Sequence, residues 1–289
     1  MKVCVLGSGG LLGHMLIRVL SGSHDVYGTT REKASKDSPL ARFLAVEKWI
    51  GEVDAAEPSS IKRVFEKNQF DIAINCIGLI KQRSDQVDDR LMMSVNGEFP
   101  HKLAEIANSS GARVIQISTD CVFSGNKGNY VETDTPDPVD TYGRSKLLGE
   151  LNDSTNLTIR TSHIGRELSV KKSFVEWLLS QRNGRIRGFS GAIYSGLTSK
   201  ELAKVIESLM PTETSLSGMF HVSSEAISKL EIINQLNELL DLNIEVVEDK
   251  TIQINRSLNS LRFQSATNTS ASKWAPMLKD LCADQAIYV

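Results

Sequence analysis

Lys2-Val3-Cys4-Val5-Leu6 is an apolar run rich in β-branched residues, and it leads directly into Gly7-Ser8-Gly9-Gly10-Leu11-Leu12-Gly13. Residues 14–20 then carry apolar side chains at helical spacing. The succession reads as strand, glycine turn and helix. Glycine lets a backbone turn sharply and approach a pyrophosphate with no Cβ in the way. The helix behind it aims unpaired N–H groups and the positive end of its dipole at such an anion. Gly7, Ser8, Gly9, Gly10, Leu11, Leu12 and Gly13 are therefore candidates for holding a dinucleotide.

The pattern around this unit repeats it. Residues 25–29 read as a second strand, and 32–45 as a polar loop containing Pro39. Ser59 or Ser60 is placed to cap a helix reaching residue 68. Residues 70–75 form an apolar strand, 88–108 a helix, 113–118 a strand, 142–151 a helix and 157–161 a strand. Apolar strands separated by helices imply right-handed crossovers and a parallel sheet covered on both faces. The expected fold is α/β, a Rossmann-type doubly wound parallel sheet.

Beyond residue 165 the pattern loosens. Helices are expected over 173–182, 198–210, 228–240 and from Trp274, with short strands over 219–222 and 244–247. In the first of these helices Phe174, Trp177 and Leu178 fall on one side. Residues 1–165 are read as the dinucleotide-binding domain. Residues 166–289 are read as mainly a smaller substrate-binding α/β region, with some segments returning to the first.

Composition bounds the function. The chain has 289 residues and a formal net charge of −2, so no general affinity for nucleic acid or anionic membrane is implied. No apolar run approaches a membrane span, and the N-terminal residues lack the layout of a secretory signal. Cys4, Cys76, Cys121 and Cys282 form no CxxC pair and no zinc pattern. A reducing, cytoplasmic setting and no metal are expected.

Three further places carry chemistry. The second strand runs into Thr30-Arg31, where an NAD-preferring site usually holds a carboxylate. Arg31 can pair with a 2′-phosphate, which favours NADPH, with NADH as the alternative. Asn75-Cys76-Ile77-Gly78 closes the 70–75 strand at the sheet's carboxyl edge, so Cys76, Ile77 and Gly78 are cofactor candidates. Tyr142-Gly143-Arg144-Ser145-Lys146 puts a phenol and an ammonium one helical turn apart. A nearby ammonium is expected to lower the phenol's pKa and make Tyr142 a usable proton donor or acceptor. Ser118-Thr119-Asp120 closes the strand before that helix, and a hydroxyl there can bond the same carbonyl oxygen. Asp120 reads as a brace for the following loop. No histidine falls in a hydrolase pattern, and no Walker A lysine occurs.

Together GSGGLLG, NCIG, STDCVFSG and YGRSK resemble the extended short-chain dehydrogenase/reductases, and most closely the dTDP-4-dehydrorhamnose reductases and related nucleotide-sugar 4-ketoreductases. Glu132-Thr133-Asp134, Val95-Asn96, Arg160-Thr161-Ser162, Gly196-Leu197-Thr198 and Leu258-Asn259-Ser260-Leu261-Arg262-Phe263 are also similar to family segments. The resemblance implies a catalytic hydroxyl at Thr119, a general acid at Tyr142 and a tuning lysine at Lys146. It implies that Lys146 and Tyr142 also meet the nicotinamide ribose, and that Gly7, Gly10 and Gly13 carry the pyrophosphate turn. The implied partner is a nucleotide-linked 4-keto-6-deoxyhexose, contacted by Thr119, Tyr142 and Arg83, with a homodimer as the allowed assembly. Arg166, Lys171, Lys172, Arg185, Arg187, Arg256 and Arg262 are open candidates for the substrate diphosphate.

Two departures stand out. Cys121 replaces the tyrosine usual after S-T-D, and Leu11 replaces a common glutamine. The alternatives are a nucleotide-sugar epimerase or dehydratase of the same fold, and a non-catalytic NADP-binding subunit resembling the regulatory β subunit of methionine adenosyltransferase. The acidic pair of a dehydratase is absent, and Arg31 argues against the retained NAD of an epimerase.

Overall fold

The computed structural model describes residues 1–80, 88–210 and 216–288. The first half builds β1 (Lys2–Leu6), α1 (Gly13–Leu20), β2 (Asp25–Thr29), β3 (Trp49–Ile50), α2 (Pro58–Lys67) and β4 (Ile72–Asn75). It continues with α3 (Asp89–Met93), α4 (Phe99–Ser109), β5 (Arg113–Thr119), α5 (Thr141–Leu148) and β6 (Leu157–Thr161). Helix α3 runs through a π-helical turn, Ser94–Glu98, into α4. The second half holds β7 (His163–Ile164), α6 (Phe174–Ser180), β8 (Arg185–Phe189), β9 (Ala192–Tyr194), β10 (Leu197–Thr198) and α7 (Ser199–Ser208). It ends with β11 (Gly218–His221), β12 (Ile227–Ser228), α8 (Lys229–Leu239), β13 (Glu245–Asp249), β14 (Ile254–Asn255), α9 (Leu261–Thr267) and α10 (Trp274–Ala283).

The central sheet has seven strands in the order β11-β6-β5-β4-β1-β2-β3, all parallel. Order reverses at β1, with β2 on one side and β4 on the other, so a crevice opens above its carboxyl end. Alternation along the strands fills two cores. Val3, Val5, Ile72, Ile74, Ile115 and Ile117 enter one layer with α1 and α7, while Cys4, Leu6, Ala73 and Val114 enter the other with α2 and α4.

The chain after β6 both returns to this sheet and builds its own. Strand β11 adds to the sheet edge beside β6, with Phe220 opposite Ile159 and His221 opposite Arg160. The pairs β7–β10 and β8–β13 and the three-stranded β12-β9-β14 sheet stand apart from it. Helix α7 packs on α1, and α10 on α8. Trp274 is buried at the start of α10, its indole N–H donating to Glu225 O at 3.0 Å. Asp284 takes ion pairs from Arg18 at 2.8 Å and Lys200 at 3.0 Å, which ties the end of the chain to α1 and α7. Among the described residues no helix is long and apolar enough to cross a membrane.

Several sequence expectations need correction. Helix α2 starts at Pro58 rather than on a serine cap. The Ser60 hydroxyl instead donates back to Asp54 O and Glu57 O. The helix expected over 88–108 is present, with a π turn at its middle that apolar spacing does not signal. In α6, Val175 and Leu178 face the core, while Trp177 stays 40% exposed with its ring 6.1 Å from that of Phe174. The strands β3, β7, β9, β10 and β14 are two or three residues long and carry too little periodicity to be read from sequence.

Candidate active site

The glycine turn closes at the crevice. Gly7 has φ +76°, the left-handed region that favours glycine, and the Gly10 N–H donates to Gly7 O at 3.0 Å. A Cβ on Gly13 would strike Gly7 O and lie 2.8 Å from Ser8 Cα, so only glycine lets α1 approach β1 this closely. Gly9 and Gly10 are exposed, and α1 has no side-chain cap. The His14 amide already donates to Gly10 O at 3.2 Å, while those of Leu11, Leu12 and Gly13 remain available to an anion. The cradle fits a dinucleotide pyrophosphate. Leu12 is buried in the core, and Leu11 leans towards Gly165.

Ser8 does not face this cradle. It is fully buried, and both its amide and its hydroxyl donate to Thr29 O at 3.0 Å. It shapes the turn from beneath. Thr30 is likewise turned inward. Its hydroxyl accepts from the Trp49 indole at 2.6 Å and donates to Glu32 O at 2.8 Å, while its methyl faces Gly9. Arg31 is exposed and makes no hydrogen bond or ion pair among the described residues. It stands at the end of β2 with its guanidinium free.

Strand β4 supplies the next edge. Ile77 packs against Gly7, and its amide is held by Asn75 Oδ1 at 3.1 Å. Burial pushes the Cys76 thiol up to about 12, so it stays neutral. Gly78 is exposed, and a Cβ there would come 3.3 Å from Asn96 Oδ1 and 3.9 Å from Lys146 Nζ.

Thr119, Tyr142 and Lys146 converge beside these residues. Thr119 ends β5 and is 6% exposed; its hydroxyl donates to Asp120 Oδ1 at 3.2 Å, accepts from Cys121 N at 3.1 Å and lies against the Tyr142 phenol. Asp140 caps α5 by accepting from Gly143 N at 2.8 Å, which fixes the turn carrying Tyr142. Lys146 is buried and donates to Ile117 O at 2.6 Å. Burial lowers its pKa to about 8, against the opposing pull of Glu150 and Cys76.

The expected lowering of the Tyr142 pKa is not what this geometry gives. Burial raises it, and Cys121, Asp120 and Asp140 push the same way, with only the Thr119 hydrogen bond opposing. Lys146 is drawn to the Ile117 carbonyl instead of the phenol. Tyr142 is therefore held as the protonated phenol, the form that can donate.

The rest of the wall comes from residues that the sequence did not single out as catalytic. Asn96, in the π turn, accepts from Leu79 N at 2.8 Å and donates to Leu79 O at 2.9 Å and Ser145 Oγ at 3.1 Å. It thereby binds the loop after β4 to α5. Asp120 is buried with its carboxyl pKa raised by burial, opposed mainly by Arg256. Arg256 donates to Phe123 O at 2.9 Å and approaches Cys121 Sγ at 3.7 Å. Burial pushes the Cys121 thiol up to about 12.

Of the other basic candidates, Arg166 pairs with Glu176 at 2.6 Å, and Arg185 and Arg187 pair with Glu245 and Asp249 along the β8–β13 ribbon. Arg262 lies over the Phe220 ring at 4.4 Å. Of these five arginines it is Arg256 that reaches the Thr119–Tyr142 wall, at Cys121. Arg83 lies outside the described residues.

The family described as RmlD substrate binding domain matches residues 1–284. This chain belongs to that family. Among similar members, a dTDP-4-dehydrorhamnose reductase of Aggregatibacter actinomycetemcomitans is 26% identical, over 98% of this chain and 98% of its own length. The spore coat polysaccharide biosynthesis protein SpsK of Bacillus subtilis is 30% identical, over 78% of this chain and 74% of its own. The RmlD fold is also that of a Bacillus anthracis dTDP-4-dehydrorhamnose reductase solved with NADP. The TM-score is 0.80 at 22% identity, covering 98% of this chain and 99% of that one.

Proposed function

We propose that this chain reduces the keto group of a nucleotide-linked 4-keto-6-deoxyhexose with NADPH. The observation that carries the reading is the meeting of Thr119, Tyr142 and Lys146 at the sheet's carboxyl edge, beside an uncapped glycine turn. The names of the relatives, reductases of dTDP-4-dehydrorhamnose and a polysaccharide biosynthesis protein, supply the substrate class.

NADPH, when bound, supplies the hydride for the sugar's C4. The turn amides not already donating within the protein, those of Gly9, Leu11, Leu12 and Gly13, would hold its pyrophosphate, Arg31 would pair with the 2′-phosphate, and Lys146, beside Gly78 and Cys76, would hold the nicotinamide ribose. The sugar carbonyl oxygen accepts hydrogen bonds from the Thr119 hydroxyl and the Tyr142 phenol. Tyr142 gives its proton to the oxygen as charge develops there. Arg256 and the small Cys121 thiol line the same wall and shape the sugar pocket. A dehydratase would need an acid–base pair where Cys121 stands, and a thiol held neutral does not provide one. Four free thiols support a reducing, cytoplasmic setting.

The test is NADPH oxidation with a panel of nucleotide-linked 4-keto sugars. Wild type is expected to consume NADPH with at least one of them, and Tyr142→Phe to lose about 10²- to 10⁴-fold in kcat. No turnover with any sugar, or full turnover in the variant, would contradict the proposal.

A further inference from the structure

Beneath the Thr119–Tyr142–Lys146 set lies a buried polar cluster that the reaction above does not use. Glu150 follows α5 one turn after Lys146, its amide donating to Leu147 O at 3.2 Å. Its carboxylate is held by a two-point fork from Arg160 on β6, Nε to Oε1 at 2.7 Å and Nη2 to Oε2 at 2.7 Å. Side-chain exposure is 4% for Arg160 and 8% for Glu150. The Ser118 hydroxyl donates to the same carboxylate at 2.7 Å. The third guanidinium nitrogen of Arg160 faces His221 Nε2 at 3.4 Å, and its plane lies 5.3 Å from the Phe123 ring.

Two consecutive residues of β5 are thus tied to one helix end. Ile117 O accepts from Lys146, and Ser118 donates to Glu150. The next residue is Thr119. The charged and titratable groups around Lys146 are Glu150 from its own helix end, Cys76 from the end of β4 and His163 from β7. Of the Glu150–Arg160 pair, it is the carboxylate that acts on Lys146. A buried pair costs desolvation that its attraction barely returns, so stability alone is a weak reason to keep one here.

We propose that Glu150 is a positioning residue for this site: oriented by Arg160 and Ser118, it sets the register of β5 against α5 and supplies the negative charge that faces Lys146. Glu150 stabilises the ammonium against burial, so Lys146 remains a cation when it meets the cofactor ribose. The catalytic consequence rests on the reductase reading, whereas the charge on Lys146 does not.

The experiment is a heteronuclear NMR titration of the lysine side chains, with Lys146 assigned by Lys146→Arg, in wild type and Glu150→Gln. Wild type is expected to titrate near pH 8. The variant, which keeps an acceptor for Ser118 but loses the charge, should titrate about one unit lower. The alkaline limb of kcat/KM for NADPH oxidation should move down with it, a change that loss of packing alone does not make. Should Glu150→Gln fail to fold beside an unpaired Arg160, Glu150→Gln with Arg160→Met removes both charges and should shift Lys146 in the same direction. Ser118→Ala breaks only the tie to β5, so it should lower kcat several-fold and leave the Lys146 titration in place. An unmoved Lys146 titration in a folded variant lacking the Glu150 charge would overturn the proposal. A shifted titration in a protein that turns over no sugar would sink the reductase reading and leave this one standing.

Discussion

Tyr142 and Lys146 lie one helical turn apart, and burial drives their protonation in opposite directions. It raises the phenol and lowers the ammonium. A phenol kept protonated suits a reduction, where the developing alkoxide needs a proton. Lys146 at about 8 is still mainly charged at neutral pH. Arg31 argues at the same scale. With its guanidinium exposed at the end of β2, its removal should matter only when a 2′-phosphate is present. Arg31→Ala is expected to weaken NADPH binding by about 10- to 100-fold, the worth of a charge-assisted hydrogen bond, and to leave NADH binding nearly unchanged. Fluorescence titration of both cofactors checks this, and equal losses would remove Arg31 from the phosphate.

The element that matters most is the turn between β1 and α1. Gly7 needs its positive φ, and Gly13 has backbone where a Cβ would be. Gly13→Ala should push α1 off β1, costing about 1–3 kcal/mol in stability and abolishing tight NADPH binding. Urea denaturation and cofactor titration read the two effects separately, and a variant that binds normally would contradict the packing argument. This turn was legible in the sequence because glycine, strand period and helix period coincide within residues 2–20. Tyr142 and Lys146 were legible because one helix carries both. The burial of Ser8 and the inward turn of Thr30 were not. Ser8 faces β2 and Thr30 is held by Trp49, both contacts across the sheet rather than along the chain. Asn96 was quoted only as part of a similar segment, since its role depends on a π turn that leaves no signal in apolar spacing. Arg256 stood among seven basic residues, and only the fold brings it to Cys121.

Across the whole molecule, segments distant in sequence meet at His221. Strand β11 brings it to β6, where its Nδ1 faces Tyr130 O at 3.0 Å and its Nε2 faces Arg160 at 3.4 Å. A neutral ring protonated on Nδ1 satisfies both neighbours, and a second proton on Nε2 would point at a guanidinium. Burial and Arg160 lower the His221 pKa to about 4, and burial takes His163 down to about 4 as well. The unfolded chain takes up these protons near 6.5, before the fold does. The contribution is therefore fully present above pH 6.5 and is lost as pH falls from there towards 4. Chemical denaturation midpoints should fall over that window, and His221→Gln should flatten part of the slope. An equally steep slope in that variant would place the acid sensitivity elsewhere.

The site is assembled from both ends of the chain, with Gly7–Gly13 near one and Arg256 near the other, so its chemistry is a property of the whole fold. The most direct measurement follows the transferred hydrogen. NADPH deuterated at nicotinamide C4 is incubated with a nucleotide-linked 4-keto-6-deoxyhexose, and the product sugar is analysed by mass and NMR. The account predicts one deuterium at sugar C4 when the transferred position carries the label, and a build-up of that product about 10²- to 10⁴-fold slower with Tyr142→Phe. A product without deuterium at C4, or with the label at another carbon, would contradict it.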